Sequence, residues 1–206
     1  MLKIWGRTNS INVQKVMWTV GELELAHERI DAGGAFGRLD TDEYGRMNPN
    51  RRIPVLQDGD VTIWESQAIV RYLAAVHGAG SLWDEDPARR SLADRWMEWA
   101  VGTIMPQLHP IFWTLKRTPE AERDMAAVER AAVAIQPLWR LLDEHLAHSS
   151  FVAGDRLTMG DIPLGCAWWR YANLDVDHPA VPNIDLWYQN LKRRDAYRRH
   201  VMIEVT

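Results

Sequence analysis

The chain has 206 residues, of which 47% are hydrophobic and 25% charged, the composition of an ordinary globular protein of one or two domains. A net charge of −4 argues against a nucleic-acid binder, which carries a basic face, and no apolar run approaches the ~18 residues of a membrane span. The apolar start Met1–Gly6 is too short for a signal peptide, and the lone cysteine, Cys166, excludes an internal disulfide framework, so a reducing cytoplasm is the expected location.

Leu2-Lys3-Ile4-Trp5 predicts a short strand ended by Gly6, and Arg7 to Asn12 is a polar, turn-rich loop. From Val13 to Leu25 the residues Val13, Val16, Met17, Val20 and Leu23 keep helical spacing. His27 to Asp31 alternates as a weak strand, and 32–48 is glycine-rich and charged, a loop with one short helix. Asn48-Pro49-Asn50 is turn chemistry, and Ile53-Pro54-Val55-Leu56 is a short apolar run. Asp58-Gly59 between apolar runs marks a hairpin. Trp64-Glu65-Ser66 opens a helix with Ile69, Val70, Leu73 and Ala74 on one face. The order β-α-β-α-β-β-α is a thioredoxin-like α/β arrangement.

Pro54 cannot donate to a strand ladder, so it marks an edge or the first residue of a strand. A cis bond before it would turn the backbone of Ile53 outward, where an extended peptide can pair. Ser66 as an N-cap would leave free N–H groups at the helix start, a site for a carboxylate. A peptide-pairing edge beside an anion-holding helix start points to a small acidic peptide.

Residues 78–87 form a linker by composition, dividing a domain over 1–77 from an all-helical one over 88–206. Leu92, Trp96, Met97, Trp99, Ala100, Ile104, Leu108 and Phe112 make one long helical pattern that Pro106 and Pro110 should kink. Thr118-Pro119-Glu120 reads as the start of the next helix, which runs through Met125, Val128, Ala132, Ile135, Trp139, Leu142 and Leu146, with Pro137 a local fault. Thr158-Met159-Gly160-Asp161 resembles a capping box with Leu157 and Ile162 as its staple, and Pro182-Asn183 starts a last helix. Most of the eleven tryptophans sit at core spacing, Trp113 apart. His145 and His148 lack a third metal ligand and read as a solvated face, no metal site is expected, and Cys166 sits in an apolar stretch as a buried, inert thiol.

The run R-I-P-V-L, D-G-D, then W-E-S-Q-A-I-V-R-Y-L-A resembles the glutathione-binding half of the glutathione transferase superfamily, and Phe151 to Asp155 with the box after it resembles the family's helical domain. The resemblance implies glutathione as co-substrate. Ile53, before a cis Pro54, would pair with its cysteinyl backbone, and Glu65 and Ser66 would hold its γ-glutamyl end. It also implies a small-molecule electrophile as second substrate, a homodimer, and no membrane or nucleic-acid partner.

Such an enzyme must make a thiolate at neutral pH, where an ordinary thiol of pKa about 8.5 is only a few per cent ionised. The loop Arg7 to Asn12 holds neither tyrosine nor cysteine. Ser10 lies where serine-type, theta-like members place their hydroxyl, and R-x-N-S-x-N-V-Q-K resembles a bacterial branch in which an asparagine or arginine shares that role, so Asn12 and Arg7 stand beside it. Arg51 or Arg52 would take the glycine carboxylate, although Arg51 occupies a position where glycine is frequent. Met105, His109, Phe112 and Trp113 suit an apolar electrophile, and Arg117 an acidic one. The rival readings are a glutathione-dependent disulfide reductase or peroxidase, and a non-catalytic interaction module of the same fold.

Overall fold

The computed structural model describes residues 1–206. Its first part contains β1 (Leu2–Trp5), α1 (Ile11–Glu22), β2 (His27–Ile30), α2 (Asp42–Met47), β3 (Val55–Asp58), β4 (Val61–Trp64) and α3 (Ser66–His77). The strands form one mixed sheet in the order β2-β1-β3-β4, with β1 parallel to β2 and antiparallel to β3. β3 pairs with β4 across the tight turn at Gly59, whose φ of 55° is left-handed. Pro54 immediately precedes β3, which is an inner strand and not an edge, and the Ile53–Pro54 bond is cis.

The second part is helical: α4 (Pro87–Trp99), α5 (Met105–Arg117), α6 (Met125–Leu146), α7 (Asp161–Ala172), α8 (Pro182–Lys192) and α9 (Asp195–His200). The fold is a thioredoxin-like α/β unit followed by an all-α unit. α4 and α5 are joined by a wide π-helical turn over Ala100–Ile104, just before Pro106. A proline donates no hydrogen bond and crowds the carbonyl four residues back. The wide turn moves that carbonyl aside, so the break falls before Pro106, and Pro110 lies inside an intact α5. Pro137 is likewise carried within α6, where Val133, the residue whose carbonyl loses its partner, is 65% exposed.

Thr118-Pro119 does not start α6. It leads into a single 3₁₀ turn over Glu120–Glu122, and Asp124 caps the helix, its Oδ1 accepting Ala127 N–H at 2.9 Å. The capping box before α7 is half formed. Thr158 donates both its N–H (2.9 Å) and its hydroxyl (3.2 Å) to Asp161 Oδ2, while Asp161 Oδ1 accepts Val152 N–H and Trp187 Nε1, each at 3.0 Å. Asp161 is fully buried, which pushes its pKa up to about 6 against the pull of these four bonds. His148 is exposed, but His145 is only partly so: its Nε2 bonds the Val152 carbonyl at 2.8 Å and its ring sits tilted against Trp96 at 4.7 Å.

The main core fills the helical part and takes in Trp96, Trp139, Trp168 and Trp187, and Trp18 of α1 reaches into it. Trp18 meets Tyr197 edge-on at 4.7 Å and lies so close to Gly165 that a Cβ there would come within 2.7 Å of the ring. Trp18 Nε1 and Arg194 both bond Glu22 (2.7 and 2.6–2.9 Å). Helix α1 is thereby clamped between the sheet and α7–α9, which fixes the direction of its first turn.

Candidate active site

A cleft of about 510 Å³ opens between the loop before α1 and helix α5. Ser10 is the N-cap of α1, with extended backbone and its carbonyl accepting Gln14 N–H at 2.9 Å. An N-cap serine usually folds its oxygen over the helix start. This one does not, so its hydroxyl and the first N–H groups of α1 are both left for a ligand in the cleft. Asn12 Oδ1 accepts Lys15 Nζ at 2.9 Å and Ser66 Oγ at 3.3 Å. An ammonium is a donor only, so it pins the amide's oxygen inward and leaves Nδ2 as the outward donor.

Lys15 is 2% exposed. Burial pushes its ammonium down to about 8 and Arg170 adds to the fall, opposed by Cys166 and Glu65. Cys166 is itself fully buried in α7, which pushes its thiol up to about 12. It stays neutral at ordinary pH and counters the fall of Lys15 only where it ionises.

Ser66 is the first residue of α3 and not its cap. Glu65 holds the cap position at φ 70°, ψ 114°, a left-handed conformation that turns the chain from β4 into the helix within one residue. No side chain caps the helix, and its first internal bond runs from Ile69 N–H to Glu65 O, so the N–H groups of Ser66, Gln67 and Ala68 are available to an anion. Gln67 Nε2 is spent on Met97 O at 3.0 Å.

Arg51 has φ 51°, the backbone that makes glycine frequent here, and its guanidinium donates to Leu39 O (2.8 Å) and Thr41 O (3.0 Å). It lies against Gly45, where a Cβ would come within 2.6 Å of Nη2. Arg51 is a brace for its own loop. Arg52 makes no ion pair, while Tyr44 Oη and Asn48 Nδ2 fix its carbonyl at 2.9 and 2.8 Å.

From α5, Met105, His109, Phe112, Trp113 and Arg117 line the opposite wall, with the His109 ring stacked on a half-exposed Trp113 at 5.4 Å. The cleft gathers Arg7, Ser10, Asn12, Arg51, Arg52 and Ile53 with these, and Ser66 meets it through its bond to Asn12, whereas Pro54 and Glu65 are not among its lining residues. Sequence reasoning missed Asn9, Lys15 and Arg170. Lys15 was detectable three residues after Asn12 on one helix face. Arg170 arrives from α7 and bonds Asn9 O at 3.1 Å across 161 residues, which no local signal reports. Nowhere do three His, Cys, Asp or Glu side chains gather as a metal cluster, and no helix is long and apolar enough to cross a membrane.

Residues 1–75 match the glutathione S-transferase N-terminal domain family, and residues 104–195 match its C-terminal domain family. The chain belongs to the glutathione S-transferase family. This transferase chain is 42% identical to glutathione S-transferase GstB of Escherichia coli K12 over the full length of both. It is 26% identical to glutathione S-transferase D6 of Drosophila melanogaster over 93% of this chain and 87% of that protein. Among solved structures, the theta class enzyme of Xanthomonas axonopodis pv. citri with glutathione bound superposes with a TM-score of 0.96 at 43% identity, covering 100% of this chain and 99% of that one. Bombyx mori BmGSTD1 does so with a TM-score of 0.85 at 25% identity, over 97% and 92% of the two chains.

Proposed function

We propose that this protein activates the thiol of glutathione and transfers the tripeptide to a small electrophile, as a cytoplasmic homodimer. The observation that carries the reading is one cleft in which the unbonded Ser10 hydroxyl, the outward Asn12 amide and the uncapped start of α1 converge opposite the apolar face of α5. Lowering a thiol pKa by about two units requires roughly 2.7 kcal/mol of preference for the anion. A charge-assisted hydrogen bond supplies about 1.5–3 kcal/mol, and the helix start with the buried ammonium of Lys15 supplies the rest. Ser10 donates to sulfur without ionising. The thiol proton leaves to solvent, the thiolate forms a bond to the electrophilic carbon, and the leaving group departs with its electron pair.

Arg52, rather than Arg51, is the cation for the glycine carboxylate, and the free N–H groups of α3 with Glu65 take the γ-glutamyl end. Trp64, Val76, Leu92 and Val101 are 37–52% exposed on β4, α3, α4 and the π turn, an apolar surface suited to a second copy. The burial and neutrality of Cys166 weigh against a disulfide reductase working through an enzyme thiol. Calorimetric titration with glutathione tests the reading, alongside conjugation of 1-chloro-2,4-dinitrobenzene. Saturable binding weakened in Ser66→Ala and Glu65→Ala is expected, and absence of glutathione binding by the wild type overturns it.

A further inference from the structure

The cleft is lined by five arginines and no acidic residue, in a chain whose net charge is −4. Arg51 is spent on backbone carbonyls and Arg52 lies at the glutathione end. Three remain on the side where the second substrate enters: Arg7, Arg117 and Arg170. None of the three pairs with an Asp or Glu side chain. Arg170 is 5% exposed, its Nε is buried without a partner, and its guanidinium lies 4.1 Å over the Phe112 ring. Its one hydrogen bond is to Asn9 O. Arg117 donates to Thr206 O at 2.5 Å and approaches the other side of the site, also over Phe112 at 5.7 Å. Arg7 lies along Gly34, where a Cβ would stand 3.0 Å from its Nε.

Buried cations are ordinarily paired within the fold. Here the fold concentrates positive charge instead. Burial and repulsion from Arg117 and Arg7 depress Arg170 to about 10, and burial together with Arg117 pulls Arg7 down as well. A planar guanidinium held over an aromatic ring is pre-set for bidentate recognition of a carboxylate.

We infer that the α5 side of the cleft takes an electrophile bearing an anionic group of the carboxylate type, held by Arg170 with Arg7 and Arg117. This rests on the transferase reading above. The apolar residues Met105, Phe112 and Trp113 hold the carbon skeleton, and the arginine cluster orients the reacting carbon toward the sulfur.

The test uses an isosteric pair, 4-chloro-3-nitrobenzoate and 4-chloro-3-nitrobenzamide. In both, the thiolate forms a C–S bond at the chlorine-bearing carbon and chloride leaves with the C–Cl electron pair. The quantity read is the ratio of kcat/KM for the acid to that for the amide, compared between wild type, Arg117→Gln and Arg170→Gln. The intrinsic reactivity difference between the two compounds cancels in that comparison. Each substitution should lower the ratio about tenfold or more, the loss of one charge-assisted hydrogen bond. Calorimetric titration should show the acid binding without glutathione, more weakly at high salt, with the amide insensitive to salt. Should Arg170→Gln fail to fold, the exposed Arg117→Gln carries the test alone. A ratio unmoved in the folded variants, with glutathione still binding by calorimetry, overturns this inference alone. Failure of the wild type to bind glutathione overturns it together with the transferase assignment.

Discussion

Lys15→Met should make the protein more stable and a poorer catalyst. The side chain is 2% exposed and its ammonium is lowered from 10.5 to about 8, chiefly by burial. A shift of roughly two and a half units corresponds to a cost of about 3 kcal/mol for holding the charge at neutral pH, part of which its bond to Asn12 offsets. The unfolded chain keeps the proton between about pH 8 and 10.5 while the folded chain releases it. Proton binding is then greater in the unfolded state, so wild-type stability rises with pH across that window. Methionine fills a similar volume without charge, so the variant should gain about 1–3 kcal/mol at pH 7, a Tm increase of roughly 2–10 °C, and lose the rise at alkaline pH. Catalysis should fall about tenfold, because Asn12 Oδ1 loses its ammonium donor and the amide is free to turn over. Urea denaturation at pH 7 and 9.5, with kcat/KM for glutathione, measures both. A variant less stable than wild type at pH 7 refutes the burial cost, and one of undiminished activity refutes the alignment of Asn12.

Arg52→Ala should raise KM for glutathione about tenfold, whereas Arg51→Ala should chiefly lower Tm by freeing the loop that it braces at Leu39 and Thr41; equal KM effects would return the choice between them to open. In Ser10→Ala the acidic limb of the kcat/KM–pH profile should move up by about 1–2 units with little change in glutathione affinity. A shift confined to Asn12→Ala would transfer the role to the amide. Asp161→Asn must turn an NH₂ toward one of its two pairs of donors, at a cost of about 2–4 kcal/mol by chemical denaturation. Because the folded pKa of Asp161 is raised to about 6, its folded form binds more protons between about pH 4 and 6, and its contribution to stability should fall as pH rises through that window.

Elements set by local pattern were legible in the sequence. The short strand β1 ended by Gly6, the Asp58-Gly59 turn and the Ile69–Ala74 stripe each depend on neighbours within one or two turns of chain. The misreadings share a cause, which is a second signal in competition. Thr118-Pro119-Glu120 is a good helix start, but Asp124, a few residues later, has the carboxylate that reaches Ala127 N–H. Ser66 is a good cap, but the left-handed Glu65 takes the corner first. α1 begins at Ile11 rather than Val13, because Ile11 packs into the distant helical core. In the site, the loop residues and the α5 face were readable from their motifs. Arg170 was not, and the spacing that sets Lys15 beside Asn12 does not report that it is buried, because burial is decided by helices far along the chain.

The π-helical turn at Ala100–Ile104 acts as a phase setter for the wall behind the electrophile. It accommodates one residue more than an α-helix would over the same rise. Each residue of an α-helix advances the side chains by about 100°, so tightening this turn to α geometry at constant length would add one such step and rotate everything beyond it by that angle. His109, Trp113 and Arg117 would swing away from the loop before α1, and a different stripe of α5 would face the cleft. Gly102 is exposed, with open space where a Cβ would stand. A single-codon deletion there would convert the wide turn to an ordinary one and leave the same stripe of α5 facing the cleft.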